Sequence, residues 1–190
     1  MANESTEKSC LQTLLAGDYT RINVQQILDQ CKQLFTKLSE SESLSKEDEE
    51  AFLDVGQAFG KMWNLKDEGT LDISEETVAA QVFLELTRMI VKLCEQSLKL
   101  ASAVFNYGII SQIAIDLYEW PTSFKSKLLE DKSTIFHLTL NYFRIIALIA
   151  RFEELNYDVA CEARGLNFPD IIQTFLEDWG CELNFHCALQ

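Results

Sequence analysis

Residues 105–120 read FNYGIISQIAIDLYEW, an apolar segment that ends at Gly108 and a second one that begins directly after it. Apolar residues recur at helical spacing on both sides of the glycine. Glycine suits a sharp corner between two helices, because it takes a positive φ without strain. A similar phrase, EARGLNFPDIIQTFLEDW, returns at 162–179, where Gly165 follows Gly108 by 57 residues. The sequence therefore predicts two copies of one unit, made of a long helix, a short helix, a glycine corner and a further helix.

The composition is typical of an all-α globular protein. Hydrophobic residues make up 47% of the 190 positions, enough for a packed core. The 7 Gly and 2 Pro are few for a turn-rich β-sandwich or barrel. The first residues, MANESTEKSC, lack the basic and apolar segments of a secretory signal. We therefore expect a cytoplasmic chain with reduced cysteines, and a nuclear location stays open.

The chain is strongly acidic, with a formal net charge of −14. Nucleic-acid binding needs a concentrated Lys/Arg surface, so we expect neither a nucleic-acid partner nor attraction to anionic membranes. Many of the acidic residues precede residue 77, and the sequence predicts a solvated acidic loop at 39–50. The most apolar run, 135–150, is interrupted by His137, Asn141 and Arg144. It is too short and too polar to insert into a membrane, and is predicted to be a buried helix.

Helical periodicity divides the chain into three parts. Helices at about 4–15, 22–38 and 46–64 form a predicted N-terminal cap within residues 1–70, the third of them starting after Ser45. Gly56 and Gly60 indicate that another helix crosses this third helix closely. Helical repeats, whose resemblance to a known family is given below, are predicted over 71–180, starting with a helix capped by Ser74 and including an almost uniformly apolar helix at 133–152. Residues 181–190 are predicted to be an irregular tail.

The repeated unit resembles the armadillo repeat over about residues 77–179. In that repeat a short first helix ends at a Gly corner, a second helix follows, and a longer third helix lines a concave groove. The rhythm of LTRMIVKLCEQSLKLASAVFNYGIISQIAIDLYE (86–119) and LTLNYFRIIALIARFEELNYDVACEARGLNFPDIIQTFLED (138–178) is similar to the N-terminal armadillo-like region of ataxin-10 proteins. The resemblance implies a right-handed α-solenoid of two to three repeats. It also implies a cytoplasmic scaffold that acts through partners and self-association, in a family associated with cell division, cell survival and neurite outgrowth.

Two departures from these families limit what the resemblance implies. Peptide-binding armadillo proteins of the importin and catenin type carry an Asn on the third helix. At the aligned places this chain has Met89 or Ile90, and Ala147 or Leu148, so their peptide clamp is not expected here. Ataxin-10 relatives also continue well beyond this length into a C-terminal domain, whereas this chain ends with GCELNFHCALQ, which predicts a truncated, spliced or divergent member.

The sequence does not predict an enzyme. It has no Gly-rich phosphate loop after a strand and no nucleophile elbow, and no cofactor is expected. Cys181, His186 and Cys187 lack the paired spacing of a zinc module, so no metal site is predicted. The other cysteines fall at or beside apolar helix positions, where a thiol packs as a small hydrophobe: Cys10, Cys31, Cys94 and Cys161.

Polar stripes on the two long helices are the candidate binding residues. Gln81, Glu85, Arg88 and Lys92 correspond roughly to His137, Asn141, Arg144 and Leu148 when counted back from the glycines. In a solenoid both stripes face one groove. We hypothesise that an acidic partner segment binds the four basic residues Arg88, Lys92, Arg144 and Arg151, with hydrogen bonds from His137 and Asn141. The alternative is that these residues form ordinary solvated helix faces.

The function predicted from the sequence is therefore protein binding by a non-enzymatic scaffold. One alternative is a purely structural solenoid segment or self-associating module with an exposed C-terminal apolar face, made of Ile171, Ile172, Phe175, Leu176 and Trp179. A second alternative is a helical carrier of a small ligand, which requires a deep pocket with convergent polar groups.

Overall fold

The structure is a computed structural model that describes residues 23–40, 46–67, 77–119, 133–171 and 173. Within these ranges the chain forms helices and contains no strand, which confirms the all-α prediction. The helices are α1 (Val24–Glu40), α2 (Lys46–Asp67), α3 (Val78–Gln96), α4 (Leu98–Asn106), α5 (Ile109–Glu119), α6 (Thr134–Ala150) and α7 (Glu153–Gly165). Residues 168–171 are also helical. The helix predicted at 4–15 and the tail at 181–190 lie outside the described residues.

Helix α3 is the centre of the fold. It packs between α1 and α6, and it also contacts α2 and α4. Residues on several of its sides are fully buried, among them Met89, Leu86, Ile90 and Thr87. A second group of contacts joins α2 to α4 and α5, and α5 to α7, while α6 packs on α4 and α7. Both long helices of the predicted repeat are therefore covered on more than one side, as their broad apolar faces require.

An aromatic cluster ties α2, α3 and α6 together. The ring of Phe59 on α2 meets Phe83 on α3 edge-to-face, with ring centroids 5.5 Å apart. It also meets Tyr142 on α6 at 6.3 Å, again edge-to-face. All three side chains are at most 1% exposed. Edge-to-face pairs of this kind add stability beyond the burial of their area.

Most predicted helix bounds agree with the structure to within two or three residues, but the acidic loop does not. Helix α1 continues to Glu40 and α2 begins at Lys46, so residues 39, 40 and 46–50 of the predicted loop at 39–50 are helical. Glutamate and lysine are good helix formers, and acidic residues are favoured in a first turn by the positive end of the helix dipole. Helix propensity therefore outweighs the density of negative charge at 46–50, where the charge had predicted a loop.

The N-terminal caps of the two long helices match each other. Thr77 caps α3, its hydroxyl accepting a hydrogen bond from the backbone N–H of Ala80 at 3.2 Å. Ser133 caps α6 in the same way, accepting from the N–H of Phe136 at 3.0 Å. The cap predicted at Ser74 is therefore wrong by three residues, because α3 begins at Val78. The predicted cap at Ser45 lies outside the described residues.

One of the two predicted glycine corners is confirmed and the other is wrong. Gly108, between α4 and α5, has φ +73°. Gly165 is instead the last residue of α7, and the positive φ after that helix, 55°, belongs to Asn167. Asparagine tolerates this left-handed conformation better than most residues. The corner therefore recurs after 59 residues instead of 57.

Gly56 marks the close crossing that the sequence predicted for this part of α2. A Cβ atom at this position would lie 3.0 Å from Cδ2 of Tyr107 and 3.3 Å from Cα of Val104. At Gly60 a Cβ would lie 3.2 Å from Nε2 of Gln112. Helix α2 therefore approaches α4 and the start of α5 closely, and the prediction for both glycines is confirmed.

A buried carboxylate that the sequence did not single out connects three helices. Asp116 of α5 is 1% exposed. It accepts hydrogen bonds from Nε1 of Trp63 at 2.9 Å, from the ammonium group of Lys66 and from the hydroxyl of Tyr142. Burial and the adjacent carboxylate raise the pKa of Tyr142, which keeps its hydroxyl proton available as a donor. Because Trp63 and Lys66 lie on α2 and Tyr142 on α6, this network fixes both helices to α5.

The described cysteines divide into two buried thiols and one exposed thiol. Cys31 and Cys94 are fully buried, and burial raises the pKa of each to about 12, as expected for inert packed thiols. Cys161 is exposed on α7, so its predicted role as a small core hydrophobe is wrong. Helix α7 buries Leu155 and Val159, and Cys161 falls outside that narrow apolar face.

No single helix in the described part of the chain is long and apolar enough to cross a membrane. The bent pair α4 and α5, whose axes differ by 58°, reaches the necessary length and apolar composition only when both helices are taken together. The apolar run at 135–150 forms α6, which is 17 residues long and largely buried against neighbouring helices.

Candidate partner-binding pocket

Helices α3 and α6 lie side by side and bring their polar stripes to one surface cavity, here called the α3–α6 pocket. Its volume is about 280 Å³. Five of the eight predicted groove residues line it, together with three apolar residues that the sequence did not assign to a site. The lining residues are Phe35, Arg88, Val91, Lys92, His137, Leu140, Asn141 and Arg144. Counting back from the glycines therefore placed Arg88 and Arg144 at the same cavity.

The apolar part of the pocket comes from three helices. Val91 of α3 and Leu140 of α6 come from the two flanking helices, and Phe35 reaches the cavity from α1. Leu140 is only 7% exposed, while Phe35 and Val91 are half-buried against the core. These side chains give a bound apolar group a surface on which to displace water.

Asn141 lies in the pocket wall in a fixed orientation. It is 5% exposed, and its Nδ2 donates a hydrogen bond to Oγ1 of Thr87 at 3.1 Å, across the contact between α6 and α3. The hydroxyl of Thr87 in turn donates to the carbonyl of Leu84 at 2.9 Å. A buried amide held in this way keeps one rotamer, so its remaining hydrogen-bonding capacity has a defined direction.

The rim of the pocket is cationic. Arg88 donates to the carboxylate of Glu85 at 2.8 Å, and its side chain remains 40% exposed. Nζ of Lys92 lies 3.6 Å from Oε2 of Glu95, and the side chain of Lys92 is 39% exposed. Arg144 is exposed and makes no ion pair with another described side chain. Among the described residues, no acidic side chain lines the pocket itself.

The remaining three predicted groove residues do not line the pocket. Gln81 is half-buried one to two turns before Arg88 on α3. Glu85 is 7% exposed and acts through its ion pair with Arg88. Arg151 follows the end of α6, and its guanidinium donates to the carbonyls of Cys94 and Glu95 at 3.3 and 2.9 Å. Arg151 therefore caps the C-terminus of α3, and its predicted place among the groove cations is wrong.

A second cavity, here called the α5–α7 cavity, has a volume of about 320 Å³. Ala114, Ile115 and Tyr118 of α5 face Leu166 and Ile171 across it, and Glu119 and Asn167 complete its lining. Ile171, the first residue of the predicted C-terminal apolar face, is half-buried and packs against the core. The side chains of the other members of that face lie outside the described residues: Ile172, Phe175, Leu176 and Trp179.

The described residues hold no group of three or more His, Cys, Asp or Glu side chains that could bind a metal ion. Cys181, His186 and Cys187 lie outside these residues, as does Cys10.

The chemistry of the α3–α6 pocket is that of guanidinium and ammonium donors around an apolar surface. This combination suits an anionic group attached to an apolar one.

Comparisons of the chain with protein-family models, with curated proteins and with solved structures find no match.

Proposed function

We propose that this protein is a non-enzymatic interaction scaffold of the armadillo-like, ataxin-10-like type, whose α3–α6 pocket binds an acidic segment of a partner protein. The observation that carries the proposal is the cationic rim of Arg88, Lys92 and Arg144 around an apolar floor, on a chain of net charge −14. A local positive site on an otherwise negative surface attracts acidic segments selectively, because the rest of the surface repels them.

The size of the pocket suits a side chain of a protein segment. Pockets for drug-sized ligands typically measure roughly 300–1,000 Å³. The α3–α6 pocket, at about 280 Å³, lies just below this range and suits one apolar side chain with a flanking carboxylate. The expected partner segment thus has Asp or Glu beside a medium-sized apolar residue, which binds between Val91 and Leu140.

Three features support the armadillo-like part of the proposal. Helix α3 packs between α1 and α6, the order expected if these helices are equivalent members of successive repeats. The caps at Thr77 and Ser133 both use a side-chain hydroxyl, and the corners at Gly108 and Asn167 both have a positive φ.

The cellular role proposed for the protein rests on the resemblance to ataxin-10 proteins alone. On that basis we propose a cytoplasmic scaffold that acts in cell division, cell survival or neurite outgrowth.

One alternative function is supported by the α5–α7 cavity. Its lining is mostly apolar, and Tyr118 beside it is 79% exposed. A further repeat or a second copy of this chain that packs there would make the protein a structural or self-associating module. Light scattering coupled to size-exclusion chromatography separates the two functions. A concentration-dependent dimer that Ile115→Glu abolishes supports self-association, and a monomer at all concentrations argues against it.

The proposed function is tested by selecting peptides from a library of random 12-residue segments on the full chain. The expected peptides carry acidic residues next to Leu, Ile, Met or Phe. The same selection is repeated on the double variant Arg88→Glu/Arg144→Glu, and on Lys99→Glu/Arg164→Glu as a matched control with the same net charge. Lys99 and Arg164 lie exposed on α4 and α7, away from the pocket lining.

Enrichment that survives in the control and disappears in the pocket variant supports the proposal. Enrichment of acidic peptides that is equal on all three proteins, or the absence of any acidic–apolar pattern, would overturn it. Circular dichroism of the variants checks that each retains its helical fold.

A further inference from the structure

We infer that Glu85 makes the α3–α6 pocket selective for a carboxylate over a phosphate group, so that the partner segment is acidic through Asp, Glu or a chain terminus and is not a phosphorylated one. The inference rests on the proposed function, since it specifies which anion the same pocket accepts. It starts from the charges around the pocket, counted together with their partners.

Three cations line the pocket. Two carboxylates that are not among the lining residues neutralise part of this positive charge. Glu85 pairs with Arg88 at 2.8 Å and Glu95 approaches Lys92 at 3.6 Å. Counted over the described residues, the local charge is therefore one positive, mainly that of Arg144. A carboxylate neutralises this charge, whereas a phosphate monoester, with a charge of about −1.5 to −2 at neutral pH, leaves an excess of negative charge in a partly buried site.

Glu85 is the more important of the two carboxylates. Its side chain is 10% exposed, compared with 46% for Glu95, so water screens its charge much less. The ion pair also occupies one of the five N–H donors of the Arg88 guanidinium, at Nη1. Fewer donors of Arg88 therefore remain for a phosphate group while Glu85 is paired to it.

Glu85 also positions Arg88 in the rim. Glu85 and Arg88 are three residues apart on α3, so the pair needs no other element to form. A glutamine at position 85 has the same shape and can still accept a hydrogen bond from Arg88, while its charge is lost. Glu85→Gln thus separates the effect of the charge from the effect of positioning.

Two matched fragments test the inference on the full, ¹⁵N-labelled chain at pH 7.5: 4-methylpentanoate, a monoanion, and 3-methylbutyl phosphate, a dianion with a similar apolar body. Binding is measured from the amide NMR shifts of Val91 and Asn141. We expect the wild-type protein to bind the carboxylate at least as tightly as the phosphate. Glu85→Gln should bind the carboxylate about three- to tenfold tighter and the phosphate about ten- to a hundredfold tighter, because the relieved repulsion scales with ligand charge.

Glu119→Gln, on α5 and outside the pocket, is the control that removes one negative charge without altering the rim. It should leave both affinities unchanged within about twofold. Glu95→Gln should give a smaller change than Glu85→Gln in the same direction, and it keeps the test usable if Glu85→Gln does not fold.

The outcomes distinguish this inference from the proposed function. A wild-type protein that prefers the phosphate by more than about tenfold, or a phosphate-to-carboxylate ratio that neither variant changes, overturns the role of Glu85 and leaves the acidic-segment function standing. If neither fragment shifts Val91 or Asn141, the pocket is not an anion site, and both proposals fail.

Discussion

Replacing Asp116 by Ala tests whether the buried carboxylate fixes α2 and α6 to α5. The change removes the common acceptor of Trp63, Lys66 and Tyr142 and leaves three donors without it. Removing one partner of a buried ion pair typically costs about 3–5 kcal/mol. Lys66 keeps 15% of its side chain exposed and can turn its ammonium group toward water. We therefore expect a loss near the lower end, about 3 kcal/mol of the free energy of unfolding.

Smaller changes in the same network should give smaller losses. Tyr142→Phe removes one hydrogen bond to a carboxylate that keeps two other donors, and should cost about 1.5–2 kcal/mol. Ser111→Ala is the control on the same helix, because Ser111 donates to Glu162 at 2.8 Å in a part-buried position. Its expected cost is about 0.5–1 kcal/mol.

Urea unfolding followed by circular dichroism at 222 nm measures all three losses, with the slope of the transition used to check that each variant unfolds in the same way. Lys66→Met combined with Asp116→Ala should cost less than the sum of the single changes, since the two groups act on each other. An Asp116→Ala variant that loses less than about 1 kcal/mol, or additive losses in the double variant, would refute the role given to this network.

Three further predictions concern the corners, the helix crossing and the thiols. Gly108→Ala should lose about 1–2 kcal/mol of the free energy of unfolding through its φ of +73° alone, because a Cβ there meets nothing within 4 Å. Gly165→Ala, at the last residue of α7 and equally unobstructed, should gain about 0.5–1 kcal/mol. Equal effects in thermal unfolding would contradict the corner at Asn167. Gly56→Ala should cost about 1–3 kcal/mol because its Cβ meets the backbone at Val104, and an unchanged urea midpoint would exclude this close crossing. In single-cysteine variants at pH 8, Cys161 should react with a thiol reagent at least about a hundredfold faster than Cys31, whose pKa is raised to about 12. Since a raised pKa favours the neutral thiol of the folded state, the contribution of Cys31 to stability is complete below pH 9 and is lost as the pH rises toward 12. Cys31→Ala should reduce this loss in pH-dependent unfolding, and the part due to Cys94, whose pKa is also raised to about 12, should remain.

Helical periodicity predicted the described long helices well, because burial of an amphipathic face determines where such a helix lies along the chain. Local signals were less decisive at the ends. Ser and Thr are both common cap residues, so the residue types at 74 and 77 do not decide between the two positions; the structure has Thr77 as the cap, with Ala79 and Ala80 buried in the first turn. Glycine is likewise sufficient but not necessary at a left-handed corner, so Asn167 takes that place although Gly165 lies two residues earlier.

The candidate site was predicted in part for similar reasons. Arg88 and Arg144 reach one pocket because each keeps its place on a regular helix. Arg151 lies seven residues after Arg144 and continues the same stripe in a straight helix, but α6 ends at Ala150 and the side chain turns to the carbonyls of α3 instead. Phe35 was missed as a pocket residue because its place depends on how α1 docks against α3, a tertiary contact that no local pattern specifies.

The most direct test of the central claim is a methyl NMR titration of the full chain with the best peptide from the library selection. Two pairs of methyl groups distinguish the two cavities: Val91 and Leu140 line the α3–α6 pocket, and Ile115 and Leu166 line the α5–α7 cavity. The account predicts saturable shifts at Val91 and Leu140, lost in Arg88→Glu/Arg144→Glu, with Ile115 and Leu166 unchanged. Shifts confined to Ile115 and Leu166 would contradict it and assign partner binding to the α5–α7 cavity.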